Sequence, residues 1–542
     1  MSSAAADLIV HNARVYTVDH KQPKAAAFAV QNGRFKAVGA SPEVLQRFPD
    51  APRLDAKGRT VVPGFIDAHA HLLETGLSLI RADLSNADSP KAVVEQLQAF
   101  ANRHDLPDGA WLRGHGWDET DWSTPPSRHT LDDAFPSRPV WLTRTDVHAG
   151  WANTAALEAT VGLNRLHTRS DPDGGHIERE ANGKPTGILV DDAMALVTND
   201  IPPPSDDRRD QALHTALDHT VRHGITGLHD AGVPLSQIRR FRALIEDSAF
   251  PLRLYAMIDG RGDTFKHFCE TGPLRHDSAR LHVESVKFFA DGALGSRGAA
   301  LLEDYSDAPG NRGLLLHSAE QFREHVRAAT ACGFQVNTHA IGDRANRLVL
   351  DAYEAVMRNS DTPMRRPRIE HAQILHPDDL SRFRDLGVIA SVQPLFATSD
   401  MGWVESRLGT ERLRGAYAWK SLQETGAHLA FGSDAPVEPI DPLHGFHAAV
   451  TRQDATGHPA GGWRPSERLS RPAALYGYTQ GAAWAAFQEN EVGSITPGKR
   501  ADWVVLSQDI LSCPLNQLLD TTVLATYLDG RPIYSDANWP DP

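Results

Sequence analysis

The sequence predicts a (β/α)8 TIM-like barrel with a small β-sandwich domain formed by both termini and a large insertion after barrel strand 1. Three observations predict it: strand-like alternation at the two ends, eight apolar β-rich runs alternating with helical patterns in the middle, and surplus chain between the first two runs.

At the amino end, LIVHNARVYTVD and AAFAVQNGRFKAVG alternate apolar and polar residues from Leu8 to Val38, with Asn32-Gly33 as a hairpin turn. At the carboxyl end, Gly493 to Leu506 and Val523 to Tyr534 repeat the pattern between Gly and Pro turns. Residues 1–59 and 487–542 are therefore assigned to the small β-sandwich domain, and 60–486 to the barrel. The eight strands predicted are Thr60 to Ala68, Ile225 to Leu228, Leu252 to Ile258, Val283 to Phe289, Gln335 to Thr338, Pro367 to Glu370, Val388 to Val392 and His428 to Gly432. Helical stretches such as Ala319 to Cys332 and Ala345 to Met357 separate them.

The barrel segment exceeds the about 250 residues typical of the fold, and most of the excess lies after strand 1. Residues 72–204, with GHGWDETDW, RTDVHAGWAN and DPDGGHIERE, are expected to form a cap over the catalytic face.

Composition narrows the partners. The chain has 55 Lys and Arg against 69 Asp and Glu, a net charge of -14, which repels nucleic-acid phosphates and anionic membranes. A small-molecule substrate is expected instead, with oligomeric state left open, a homo-oligomer included. No stretch approaches a membrane span and the amino terminus carries no export signal, so a cytoplasmic location is expected. Cys269, Cys332 and Cys513 form no CxxC pair; they are read as buried thiols in a reducing cytosol, with no disulfide framework.

Strand 1 ends in His69-Ala70-His71. Residues two apart on a strand point the same way, so the two imidazoles can converge. His339, His371 and Asp434 close later strands, which places four histidines and a carboxylate on one rim. Singly, each could cap a strand or helix. Jointly they suit a transition metal, with zinc, manganese, iron and cobalt ahead of magnesium and calcium. Zinc, as one or two ions, is the expected metal. Lys287 lies among apolar residues near the end of strand 4, where an ammonium is costly unless paired or altered. It could form a salt bridge to Asp291 or Asp434, or react with carbon dioxide to give a carbamate that bridges two metals.

The motifs GFIDAHAH, GHGWDET, TGLHDAG, VKFFADGALGSRGAAL, NTHAIGDRANRLVLDAYE, RIEHAQIL, FGSDAPVEPIDPL and VGSITPGKRADWVVL carry a resemblance to the amidohydrolase superfamily. The chain resembles its YtcJ-like branch, which includes N-substituted formamide deformylases, from about Leu8 to Tyr534. The resemblance implies metal ligation by His69, His71, Lys287, His339, His371 and Asp434, often with the lysine carboxylated, and Asp434 as proton shuttle. A carboxylate beside activated water supports that role chemically.

Further substrate-side candidates are Trp117, His148, His229, Asp291 and Arg297. Trp117 and Trp122 could wall a pocket or fill a core. His148 or His229 could steady an oxyanion, while His229, Asp230 and Asp291 could orient ligands or cap helices. Arg297 could meet a substrate carboxylate or an acidic side chain.

The expected activity is metal-dependent hydrolysis of a non-peptide C–N bond, in an amide such as an N-formyl or N-acyl amine. Lactone, carbamate and ester hydrolysis share this chemistry. Heterocycle deamination is disfavoured because the segment after His339 lacks the His-x-x-Glu pattern and Lys287 is present. A non-catalytic binding protein on an enzyme scaffold is the alternative of another class, opposed by the completeness of the ligand set.

Overall fold

The computed structural model describes residues 6–104, 109–119, 122–144, 149–172, 175–359, 362–537 and 539. Two compact units divide the chain: residues 1–72 with 217–542, and residues 73–216.

The first unit contains the barrel. Its parallel strands are β1 (Phe65–Ala70), β2 (Ile225–Val233), β3 (Arg253–Asp259), β4 (Leu281–Phe289), β5 (Gln335–Ala340), β6 (Arg368–His371), β7 (Ile389–Val392) and β8 (His428–Phe431), paired in that order. Beyond β8, the Asp434 N–H donates to the His69 carbonyl at 2.7 Å and the His71 N–H to the Ala435 carbonyl at 2.8 Å, which draws the last strand back to the first. Gly432 is required at this seam. A Cβ there would lie 2.5 Å from the His69 nitrogen and 2.7 Å from Asp67 Oδ1. Helix Ala319–Ala331 follows β4 behind a Ser318–Gln321 capping box, and helix Asp343–Asn359 follows β5.

One predicted strand divides. The run Thr60 to Ala68 breaks at Gly64: Thr60–Pro63 pairs antiparallel with Trp503–Leu506, and only Phe65–Ala70 enters the barrel. Gly64 has no room for a side chain, since its Cβ would meet Thr226 Oγ1 at 2.2 Å. The second predicted strand runs on past Leu228 to Val233, so His229 and Asp230 sit within it and not at its end.

Two sheets from the termini form the sandwich. One orders Arg34–Gly39, Ala27–Gln31, Leu8–His11 and Arg53–Asp55; the other contains Arg531–Ser535, Val523–Leu528, Trp503–Leu506, Thr60–Pro63, Arg14–Tyr16 and Lys24–Ala25. Asn32 and Gly33 take φ of 50° and 71°, the left-handed pair that a tight hairpin needs. Phe28, Phe35, Val61, Trp503 and Tyr527 share one core, with Trp503 and Tyr527 stacked at 4.3 Å.

Residues 73–216 have their own mixed six-stranded sheet, ordered Gly175–Arg179, Pro185–Asp191, Ala149–Ala152, Val140–Arg144, Leu112–Trp117 and Ala82–Asp83. Leu112, Trp117, Leu131, Val140, Leu142 and Trp151 pack together in it.

The cysteines correct the sequence reading. Cys269, on helix Gly262–Thr271, and Cys332, at the end of helix Ala319–Ala331, form a disulfide, while Cys513 is free and half-buried. Pairing across 63 residues leaves no local spacing signal. It also removes the support that free thiols lent to a reducing compartment. Among the described residues no helix is long and apolar enough to cross a membrane.

Candidate metal centre

Asp67, His69 and His71 alternate along β1 and just beyond it, so they share a face. His69 is fully buried. Its Nδ1 lies 2.5 Å from Glu370 Oε2, which places the proton on Nδ1 and leaves Nε2 as the acceptor nitrogen. His71 has Nδ1 3.0 Å from the Ala231 carbonyl, which turns its Nε2 towards Asp434. Asp434 Oδ1 lies 3.2 Å from His71 Nε2 and 3.5 Å from His69 Nε2. These three residues offer ligand atoms all within 4.8 Å of one another.

Two more imidazoles join them. The His371 ring is centred 5.1 Å from that of His69 and 4.6 Å from that of His339. Its Nδ1 is 2.7 Å from Gln393 Oε1, so its Nε2 is likewise the acceptor nitrogen. Glu370 and His371 are neighbours that would face opposite ways on a regular strand, yet both approach His69. The left-handed φ of 76° at His371, followed by 40° at Ala372, ends the extended backbone there. Asp434 likewise has φ of 61°. His339 Nε2 is buried without a hydrogen-bond partner among the described residues, 3.5 Å from Asp291 Oδ1. Lys287, on β4, is buried with Nζ 3.1 Å from His69 Nε2.

Electrostatics favour the neutral, ligating forms of His69, His339 and His371, but not that of His71. Burial, and then the Lys287 charge, hold His69 well below its ordinary value and His339 down to about 3. Burial, His339 and His69 do the same for His371. For His71 burial pulls down, but the hydrogen bond and charge of Asp434 prevail and raise it. Burial lowers Lys287 to about 8, against the pull of Glu370 and Asp434. Several neutral imidazoles, a carboxylate and an amine of reduced basicity around one point match the donor chemistry of a transition-metal site.

Beneath the ligands runs a polar network. Arg368, fully buried, donates from Nη2 to the Ala68 carbonyl at 2.6 Å and to Ser391 Oγ at 2.9 Å, and its Nε lies 2.8 Å from Glu370 Oε1. Asp67 clamps β1 to β8: it accepts from Ser433 Oγ at 2.6 Å and from the His69 N–H at 3.0 Å. Burial raises Asp67 to about 7 against those bonds. Sequence reasoning missed Asp67, Arg368, Glu370 and Gln393. The first three had a signal, since charged residues at alternate positions of a buried strand must meet partners inside. Gln393 had none.

The described substrate-side candidates have the following partners. Trp117 is a core residue of the 73–216 unit, its indole N–H donating to the Leu142 carbonyl at 3.2 Å; Trp122 donates likewise to the Ala87 carbonyl. His229 lies within β2 with Nδ1 3.0 Å from Arg368 Nη1, so it belongs to the buried network. Asp291 spends its carboxylate on the N–H groups of Ala300, Ile341 and Gly342 at 2.9, 3.0 and 2.8 Å, tying the loops after β4 and β5. Burial raises it to about 7. Asp230 accepts from the Leu72 N–H at 3.0 Å. Arg297 pairs with Asp307 at 2.9 Å, the acidic-partner alternative. His148 lies outside the described residues.

Comparison with known proteins bears on this geometry. A family model described as "Amidohydrolase family" matches residues 54–534. The protein YtcJ of Bacillus subtilis is 34% identical over 97% of this chain and 99% of its own length. The N-substituted formamide deformylase of Arthrobacter pascens is 33% identical over 97% of each. The crystal structure of an uncharacterized metal-dependent hydrolase from Pyrococcus horikoshii superposes with a TM-score of 0.78 at 27% identity, covering 94% of this chain and 99% of that one.

Proposed function

We propose, from the premise that this chain belongs to the amidohydrolase family and is a metal-dependent hydrolase, that it cleaves a non-peptide C–N bond in an N-formyl or N-acyl amine. The observation that carries this reading is the placement of the Asp434 carboxylate within 3.5 Å of Nε2 of both His69 and His71. The full-length similarity to a formamide deformylase supports the substrate class.

His69, His71, His339, His371, Lys287 and Asp434 would hold the metal, with zinc, as one or two ions, the proposed species. When bound, it polarises the scissile carbonyl and lowers the pKa of its water towards about 7. Asp434 accepts the proton of the attacking water and returns it to the departing nitrogen. Glu370, Gln393 and the Ala231 carbonyl engage Nδ1 of His69, His371 and His71, so Nε2 is the nitrogen each would offer the metal.

The test is a screen of N-formyl amines, N-acyl amines, carbamates, esters and lactones, run with elemental analysis of the purified protein. Chelator-sensitive turnover of an N-formyl or N-acyl amine is expected. Turnover confined to lactones or esters would overturn the substrate class, and no bound transition metal with no turnover would favour a binding protein.

Lys287 is proposed to carry a carbamate, formed when its neutral amine attacks carbon dioxide and loses a proton. Burial lowers the amine to about 8, which leaves a reactive neutral fraction near neutral pH. Lys287→Ala is expected to lose metal, and bicarbonate with a short-chain carboxylic acid to restore part of it. Wild-type metal loading in the variant would sink the carbamate.

A further inference from the structure

Within the 73–216 unit, a cavity of about 490 Å³ holds three arginines, Arg81, Arg113 and Arg208. Arg113 lies on strand Leu112–Trp117, and Arg81 immediately precedes strand Ala82–Asp83. The parallel register pairs Gly114 with Ala82, which sets Arg113 beside Arg81 on one face of the sheet. Like charges so placed repel. Arg208 is anchored at the same cavity, donating from Nη2 to the Ile80 carbonyl at 2.6 Å and from Nη1 to Gln211 Oε1 at 2.8 Å.

None of the three forms an ion pair among the described residues, in a chain of net charge -14. Arg113 Nε is buried with no hydrogen-bond partner among them. Asp207 also lines the cavity but is exposed and bonds to none of the arginines, and Asp83 accepts the Ser85 N–H at 3.0 Å. Burial, and then the Arg81 charge, pull Arg113 down to about 10, and burial and Arg208 lower the neighbouring His104. The remaining lining is apolar, with Leu77, Ile80, Phe100 and Trp111 prominent. Three half-buried guanidiniums with no carboxylate partner among the described residues are partly desolvated at a cost, and a cavity of this volume is of small-ligand size.

We propose that this cavity binds a small organic anion, a carboxylate carried on an aromatic or aliphatic body. The guanidiniums take the carboxylate, a geometry they match with paired donors, and the apolar lining, Phe100 and Trp111 included, receives the apolar body. The inference does not rest on the hydrolytic reading, since none of these residues belongs to the proposed metal centre.

The experiment is isothermal titration of the full-length, metal-loaded protein with phenylacetate, 2-phenylethanol and inorganic phosphate. Phenylacetate is expected to bind about tenfold or more tightly than either comparator, and Arg113→Met and Arg81→Met each to weaken it about tenfold or more. The variants are expected to unfold no earlier than the wild type without ligand, because a like-charge contact is removed. Equal binding of 2-phenylethanol or phosphate to the wild type overturns the proposal. So does phenylacetate binding that is absent, or that survives both substitutions and therefore reports a carboxylate at the metal.

Discussion

Asp434→Asn is expected to lower kcat/KM by about 10²–10⁴-fold while metal content stays near that of the wild type. Asparagine keeps a side-chain oxygen near His71 and His69, so a donor remains where Oδ1 now lies 3.2 and 3.5 Å from their Nε2 atoms. It cannot accept the water proton or return it to an amine. The substitution also suits the backbone. Asp434 has φ of 61°, a region asparagine tolerates better than other side chains, and the clamp between Asp67 and Ser433 is untouched. The effect should therefore fall on kcat, with little change in thermal unfolding. Steady-state kinetics on whichever amide the screen identifies, with elemental analysis of the same sample, make the check. Retained turnover removes Asp434 from proton transfer, and loss of metal would recast it as a ligand first.

Residues that end strands were legible in the sequence because the barrel fold converts position along a strand into position on a rim. His69, His71, His339, His371 and Asp434 stand at such ends, and the structure gathers them. What supports them was less visible. Arg368 and Glu370 precede His371 in a four-residue strand, and only the three-dimensional closure of the barrel shows that they reach Ala68 and His69, some three hundred residues earlier in the chain. The split of Thr60 to Ala68 was hidden by an unbroken apolar run across Gly64, which serves two sheets in turn. Asp291 read as a rim residue because it follows β4, but backbone N–H groups from two loops converge on it, and loop conformation leaves no periodicity to read. The Cys269–Cys332 bond depends on two helices being adjacent around the barrel, which spacing cannot reveal.

Arg368→Met is expected to cost about 3–5 kcal/mol of stability, the penalty for breaking a buried ion pair from one side. Arg368 and Glu370 are both fully buried, with Nε and Oε1 2.8 Å apart, so the substitution leaves the Glu370 carboxylate without its cation. His229 loses a partner as well, since its Nδ1 lies 3.0 Å from Arg368 Nη1. Metal affinity should fall by about 10–100-fold, because the carboxylate that orients His69 is itself held by the arginine. Urea unfolding of the metal-free protein and metal titration separate the two effects. The double variant Arg368→Met/Glu370→Leu distinguishes stability from function: removing both charges should recover most of the lost stability, as paired apolar replacements often do, while affinity stays low because His69 Nδ1 has lost its acceptor. Wild-type metal affinity in the double variant would show that the Glu370 contact to His69, short as it is, does not set the ligand; stability still low in it would show that Arg368 acts through Ala68 and Ser391 more than through Glu370.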